Sequence, residues 1–155
     1  SLGKGGKPIR VYKIRTMVRT ADEELKAIME NSYNQFGRPS EDHRITKLGS
    51  FLRRYWIDEI PQLYNLLRGD LGLIGVRPMR EVDWQMYPSE LRQEALRYMP
   101  GLVGFQYAFR DEGNFDSLVE HMRQYLEEKR TTPLADMRYL SRVAVNILFR
   151  GVRGG

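Results

Sequence analysis

Along residues 8–17, PIRVYKIRTM, apolar Ile9, Val11, Tyr12 and Ile14 alternate with basic Arg10, Lys13 and Arg15. A period of two is that of a strand with one wet, cationic face. The period then lengthens. In TADEELKAIMENSYNQF, Thr20 or Asp22 serves as a cap and acids fill the first turn, which predicts a helix to about Asn31. GRPSEDHR follows as a loop. In TKLGSFLRRYWI, Leu48, Phe51, Leu52 and Tyr55 or Trp56 recur at helical spacing, and Lys47, Arg53 and Arg54 cover another side. A second helix is predicted over 59–67, with Leu63, Leu66 and Leu67 inward and Gly69 at its end. Pro61 fits its first turn, where a missing N–H costs nothing.

The segment GDLGLIGVRPMR has glycines at 69, 72 and 75 and Pro78, so it reads as turn-rich, with Arg77 pushed toward an extended conformation by the proline after it. PSELRQEALRYM predicts an N-capped amphipathic helix over 89–99. PGLVGFQYAFRDEG predicts a loop or short hairpin, and FDSLVEHMRQYLEEK and PLADMRYLSRVAVNILF two further helices. The pattern as a whole predicts an α+β fold: a single helix-rich domain with a short strand or hairpin near its N-terminus.

Composition narrows the classes. A chain of 155 residues, 41% hydrophobic and 29% charged, is of globular type and can bury one modest core. Its 25 Lys and Arg against 20 Asp and Glu give a net charge of +5, which favours anionic partners: nucleic acid, nucleotide phosphates or an acidic membrane surface. The chain contains no cysteine, so disulfides, thiolate catalysis and cysteine-based zinc sites are excluded. No apolar run approaches the roughly 20 residues of a membrane-spanning helix. The opening, SLGKGGKPIR, reads like the middle of a longer protein.

Candidate chemistry centres on RRYWIDEIPQL, residues 53–63, where Asp58 and Glu59 sit at the predicted helix start. Two readings stand. Acids at a helix N-terminus complement the helix dipole and cap free N–H groups. Alternatively, one carboxylate attacks phosphorus while its neighbour holds a divalent cation, with Arg53, Arg54 and Arg77 clamping phosphate oxygens. GDLGLIGVRP has neither the Gly-Lys-Ser/Thr ending of a P-loop nor the dinucleotide fingerprint. His43 and His121 are isolated in sequence, and the basic strand has no helix-turn-helix, RNP-like or zinc pattern beside it, so nucleic acid is not an expected partner.

Together, GKPIRVYKIRTM, DHRITKLGSFLRRYWIDEIPQLYNLLRGDLGLIGVRP and PGLVGFQ resemble the bacterial sugar transferases, the monotopic phosphoglycosyl transferases that begin glycan assembly on a polyprenyl carrier. The resemblance is densest over 42–78. It implies transfer of a sugar 1-phosphate from a UDP-sugar to polyprenyl phosphate, releasing UMP, at the cytoplasmic face of the bacterial inner membrane. It further implies Asp58 as the nucleophile forming a covalent phosphosugar intermediate, and Glu59 as the Mg²⁺ ligand. Arg77 and Arg53 match phosphate-contacting positions, with Lys13 of YKIRTM and Arg110 as further counterparts. Where many relatives continue with an Asn-Gly-Arg segment after PGLVGFQ, this chain has YAFRDEG. Members of the family usually carry an apolar re-entrant helix before the glycine-rich segment, and residues 1–155 are expected to form the catalytic domain that follows it. Apolar surface where that helix packs is then expected to be exposed, with Tyr55 and Trp56 near the bilayer and a tendency to self-associate. An inactive membrane-surface or partner-binding domain of the same fold is the alternative.

Overall fold

The computed structural model describes residues 1–18, 20, 44–109 and 115–150. The helix predicted over 20–31 lies almost wholly outside them. Six α-helices and two short strands are present among the described residues: α1 (Lys47–Arg54), α2 (Gln62–Arg68), β1 (Gly72–Gly75), α3 (Glu81–Trp84), α4 (Ser89–Ala95), β2 (Gly101–Gly104), α5 (Phe115–Thr131) and α6 (Ala135–Arg150). The helix-rich α+β class expected from the pattern is the one observed. The chain gathers into two compact units, one of Ser1–Tyr12 with Pro61–Val152 and one of Lys13–Ile60 with Arg153–Gly155.

In the first unit, β1 and β2 pair in parallel, with Gly72 opposite Gly101, Ile74 opposite Val103 and Gly75 opposite Gly104. This corrects the turn and loop expected for the two glycine-rich segments. Neither strand alternates, and each is only four residues long, so neither carries a period-two signal. Their glycines serve close approach: a Cβ on Gly101 would lie 2.1 Å from the Gly75 nitrogen. The crossover between them carries α3, absent from the pattern reading, and α4, which starts on Pro88 without a side-chain cap and is shorter than expected.

Ile74, Trp84, Leu91, Phe105, Met122, Tyr125, Leu126, Tyr139 and Val143 form the core of this unit. Phe105 stacks on Tyr125 at 5.2 Å between centroids, and Tyr125 meets the edge of Tyr139 at 4.8 Å, so α5 and α6 close over the sheet through aromatic contacts. Beside them Lys129 Nζ donates to Asp136 Oδ1 at 2.6 Å and to the Tyr125 hydroxyl at 3.1 Å, tying the two helices together.

Over the first nine residues the chain folds back on itself through an isolated antiparallel bridge between Leu2 and Pro8. The strand expected over 8–17 is absent. This stretch runs without a ladder because its backbone groups bond elsewhere. In the first unit, Tyr12 N–H donates to Asn65 Oδ1 at 3.1 Å and Asn65 Nδ2 donates to the Arg10 carbonyl at 2.7 Å. In the second, Ile14 N–H donates to the Asp58 carbonyl at 2.9 Å, and Met17 forms an isolated bridge with Ile45.

The helix α2 reverses the expected face. Gln62 and Asn65 are buried, whereas Leu63 is 49% and Leu67 87% exposed and Leu66 is half-buried. Periodicity identified its apolar side correctly but assigned the core to the wrong one. Asn65 explains the outcome: it is fully buried, its side chain holds Tyr12, Arg10 and Asp70, and its carbonyl accepts from Asp70 and Gly69. In the second unit α1 does the same, exposing Leu48, Phe51 and Tyr55 while Gly49 is buried.

Candidate active site

In the second unit, four of the expected site residues are gathered around one extended stretch of chain, 13–17. Lys13 Nζ donates to Glu59 Oε1 at 2.8 Å. One residue on, Ile14 binds the backbone of Asp58. Thr16 faces α1: its hydroxyl accepts from Arg53 Nε at 2.8 Å, and its carbonyl accepts from Thr46 N–H at 3.0 Å and, at 3.2 Å, from the Thr46 hydroxyl. Thr46 also caps α1 by accepting from Gly49 N–H at 2.9 Å. That contact is close enough to require glycine, since a Cβ on Gly49 would lie 2.0 Å from the Thr16 carbonyl oxygen.

Asp58 and Glu59 lie in a 3-10 turn, Ile57–Glu59, and not in the first turn of α2, which begins three residues after Glu59. This corrects the expected helix-start position. Arg53 and Arg54 end α1, and Tyr55 leads into Trp56, whose φ of 54° and ψ of 17° are left-handed. Trp56 is the one non-glycine residue with positive φ among those described. Such a conformation costs a bulky residue roughly 1–2 kcal/mol. Its effect is local: the chain reverses direction at the end of α1, and the Glu59 N–H then closes the 3-10 turn on the Trp56 carbonyl at 3.0 Å. Asp58 is thereby held buried at 5% exposure, with the Glu59 side chain beside it at 13%. Charges so far withdrawn from water act on one another more strongly than on the open surface.

Arg77 belongs to the first unit. It follows β1 and donates through Nη1 to the Tyr107 hydroxyl at 3.0 Å. Arg110 lies outside the described residues, as does His43. His121 stacks on Phe109 at 3.7 Å, an aromatic packing role in the first unit.

Among the described residues, no three His, Asp or Glu side chains gather as a metal cage. Two adjacent carboxylates fit Mg²⁺ differently, because this ion commonly takes one or two carboxylates and completes its octahedron with waters and substrate phosphates. Glu59 is the more accessible of the two and already holds a cationic group.

Sequence reasoning missed Thr16 and Tyr107, which hold Arg53 and Arg77. Thr16 stands within the quoted RTM block, but nothing in its spacing points to a residue 37 positions away. Tyr107 lies 30 positions from Arg77, and nothing in the spacing of its segment points there.

No described helix is long and apolar enough to cross a membrane. In sequence comparisons, the chain is 35% identical over 133 residues to the galactosyl transferase CpsE of Streptococcus agalactiae, covering 82% of this chain and 29% of that protein. It is 31% identical over 156 residues to the undecaprenyl-phosphate galactose phosphotransferase of Salmonella typhimurium, covering 96% and 32% respectively. It is also 36% identical over 124 residues to the UDP-glucose:undecaprenyl-phosphate glucose-1-phosphate transferase of Caulobacter vibrioides, covering 79% and 43%. The chain thus spans less than half the length of each of these relatives. The profile described as bacterial sugar transferase matches residues 1–150, and the chain belongs to the bacterial sugar transferase family.

Proposed function

We propose that this chain carries out phosphoglycosyl transfer, moving a sugar 1-phosphate from a UDP-sugar to polyprenyl phosphate and so initiating assembly of a bacterial glycan. The observation that carries the reading is the Ile57–Glu59 turn, which sets a buried Asp58 beside a Glu59 held by Lys13. That combination suits attack on a diphosphate, where a carboxylate nucleophile meets like charge and needs cations close by.

In the proposed reaction an Asp58 carboxylate oxygen attacks the sugar-bearing phosphorus of the UDP-sugar. The phosphoanhydride bond breaks and UMP leaves with the bridging oxygen. An oxygen of polyprenyl phosphate then attacks the same phosphorus, giving the polyprenyl diphosphate sugar and restoring Asp58. Splitting the transfer lets a soluble donor and a lipid acceptor use one site in turn. Mg²⁺, held by Glu59, would supply charge neutralisation at the diphosphate. Arg53, Arg77 and Lys13 serve as phosphate contacts in this reading, with Arg110 as a further one from the chain that follows β2. The exposed apolar face of α2 is read as a contact with the lipid surface on which the acceptor resides, at the cytoplasmic face of the inner membrane.

The test supplies Mg²⁺, UDP-glucose or UDP-galactose and undecaprenyl phosphate to the purified chain. The expected outcome is UMP release with a phosphosugar adduct, found by intact mass and absent from Asp58→Asn. UMP released at an undiminished rate by Asp58→Asn would overturn the nucleophile assignment.

A further inference from the structure

The two strands of the sheet end side by side, with Gly75 opposite Gly104, and each hands the chain to a residue of the same polar contact. Past β1, Val76 is buried and Arg77 follows it. Past β2, the 3-10 turn Phe105–Ala108 presents Tyr107. Arg77 Nη1 donates to the Tyr107 hydroxyl at 3.0 Å. Polar groups at the carboxyl ends of neighbouring parallel strands are a common place for a ligand in α/β folds.

Tyr107 is fixed from behind as well. Asn146, on α6 and only 3% exposed, donates through Nδ2 to the Tyr107 carbonyl at 2.9 Å. The turn is seated by Phe105, which is 1% exposed in the aromatic core against Tyr125. The phenol oxygen is therefore a placed acceptor on a rigid support. A guanidinium presents its five N–H donors in one rigid plane, so anchoring one nitrogen sets the direction of the whole fork. An arginine otherwise loses considerable side-chain entropy when it takes up a phosphate. Anchoring removes part of that loss beforehand, as preorganisation does in binding generally.

We propose that Tyr107 is a positioning residue for Arg77, with Asn146 bracing the turn that carries it, so that the guanidinium stands oriented for a nucleotide diphosphate before the ligand arrives. The proposal rests on the reading of Arg77 as a phosphate contact.

A double-mutant cycle on binding of UDP with Mg²⁺, measured by calorimetry, tests it. Tyr107→Phe removes the hydroxyl alone and is expected to weaken UDP about fivefold, the size of one oriented hydrogen bond. Its melting temperature should match that of the unaltered chain. In an Arg77→Ala background the same change is expected to be silent, a non-additivity that a merely structural tyrosine would not produce. Asn146→Ala should weaken UDP in the same direction as Tyr107→Phe, again only while Arg77 is present. Undiminished binding by Tyr107→Phe, or an equal loss with and without Arg77, overturns the positioning role. UDP bound equally by Arg77→Ala and the unaltered chain, or by neither, overturns the phosphate-contact reading itself and the proposal with it.

Discussion

The ammonium of Lys13 stands 2.8 Å from the Glu59 carboxylate, joining a residue of the extended stretch to one 46 positions further along the chain. A carboxylate held this way has a cation already in place, and a divalent ion that takes Glu59 has to compete with it. Lys13→Met is therefore expected to tighten Mn²⁺ binding, by up to about fivefold for a pair whose lysine is partly exposed. Glu59→Gln should abolish the same binding. Paramagnetic resonance of free Mn²⁺ reads both, and equal affinities in Lys13→Met and the unaltered chain would remove the competition.

Gly49 cannot accept a side chain where α1 crosses Thr16. Gly49→Ala would bring Cβ to 2.0 Å from a backbone oxygen, so the crossing has to open. A loss of roughly 1–3 kcal/mol is expected from such overpacking, measured by urea unfolding. The Arg53 contact with Thr16 should loosen with it, whereas Ser50→Ala on the exposed side of the helix should be close to neutral.

Asn65→Ala removes the partner of the Tyr12 N–H and the Arg10 carbonyl together. Both groups are only partly buried and regain water in part, so a loss of about 1 kcal/mol is expected, the size of an ordinary hydrogen bond. Faster amide exchange at Tyr12 is expected to accompany the loss of stability. Exchange unchanged there would mean that Asn65 does not hold the segment.

Burial raises the Tyr125 phenol well above its ordinary value, and its hydrogen bond to Asp136 adds to the effect. Burial raises Tyr139 as well. In the unfolded chain these phenols ionise near pH 10, while the folded chain keeps their protons. The folded state then binds more protons, so stability is fully present below about pH 10 and falls as pH rises beyond it. Tyr125→Phe should flatten that alkaline decline in chemical unfolding, even though it also removes the hydroxyl that Lys129 contacts.

Leu67 is 87% exposed on the outer face of α2. If that face meets lipid, Leu67→Glu should reduce co-sedimentation with vesicles of mixed anionic and neutral phospholipid, with little change in melting temperature. Sedimentation of both forms to the same extent would count against a lipid contact at α2.

Much of the helical fold was legible because α1, α4, α5 and α6 keep a regular apolar spacing. The strands were not, because GLIG and GLVG pair through close glycine contacts between segments nearly 30 residues apart. The orientation of α1 and α2 was hidden for another reason. Spacing shows which side of a helix is apolar but not what lies against it, and here buried Gln62 and Asn65 or the backbone of Thr16 take the inner side. In the second unit, Lys13, Arg53, Asp58 and Glu59 all stand in the stretches that the sequence singles out. Thr16, which bonds Arg53, and Tyr107, which bonds Arg77 in the first unit, could not be read there, since each contact spans 30 or more positions.

The inverted face of α2 has a thermal consequence. Apolar burial gives protein contacts their strong temperature dependence, through the heat capacity of hydrated hydrocarbon. A helix whose inner side carries the amides of Gln62 and Asn65, the latter bonded to the backbone of Arg10 and Tyr12, contributes little to that heat capacity. The attachment of α2 within its unit should therefore change less with temperature than the aromatic core beneath α5 and α6, keeping its register at low temperatures where the core's own apolar contacts weaken.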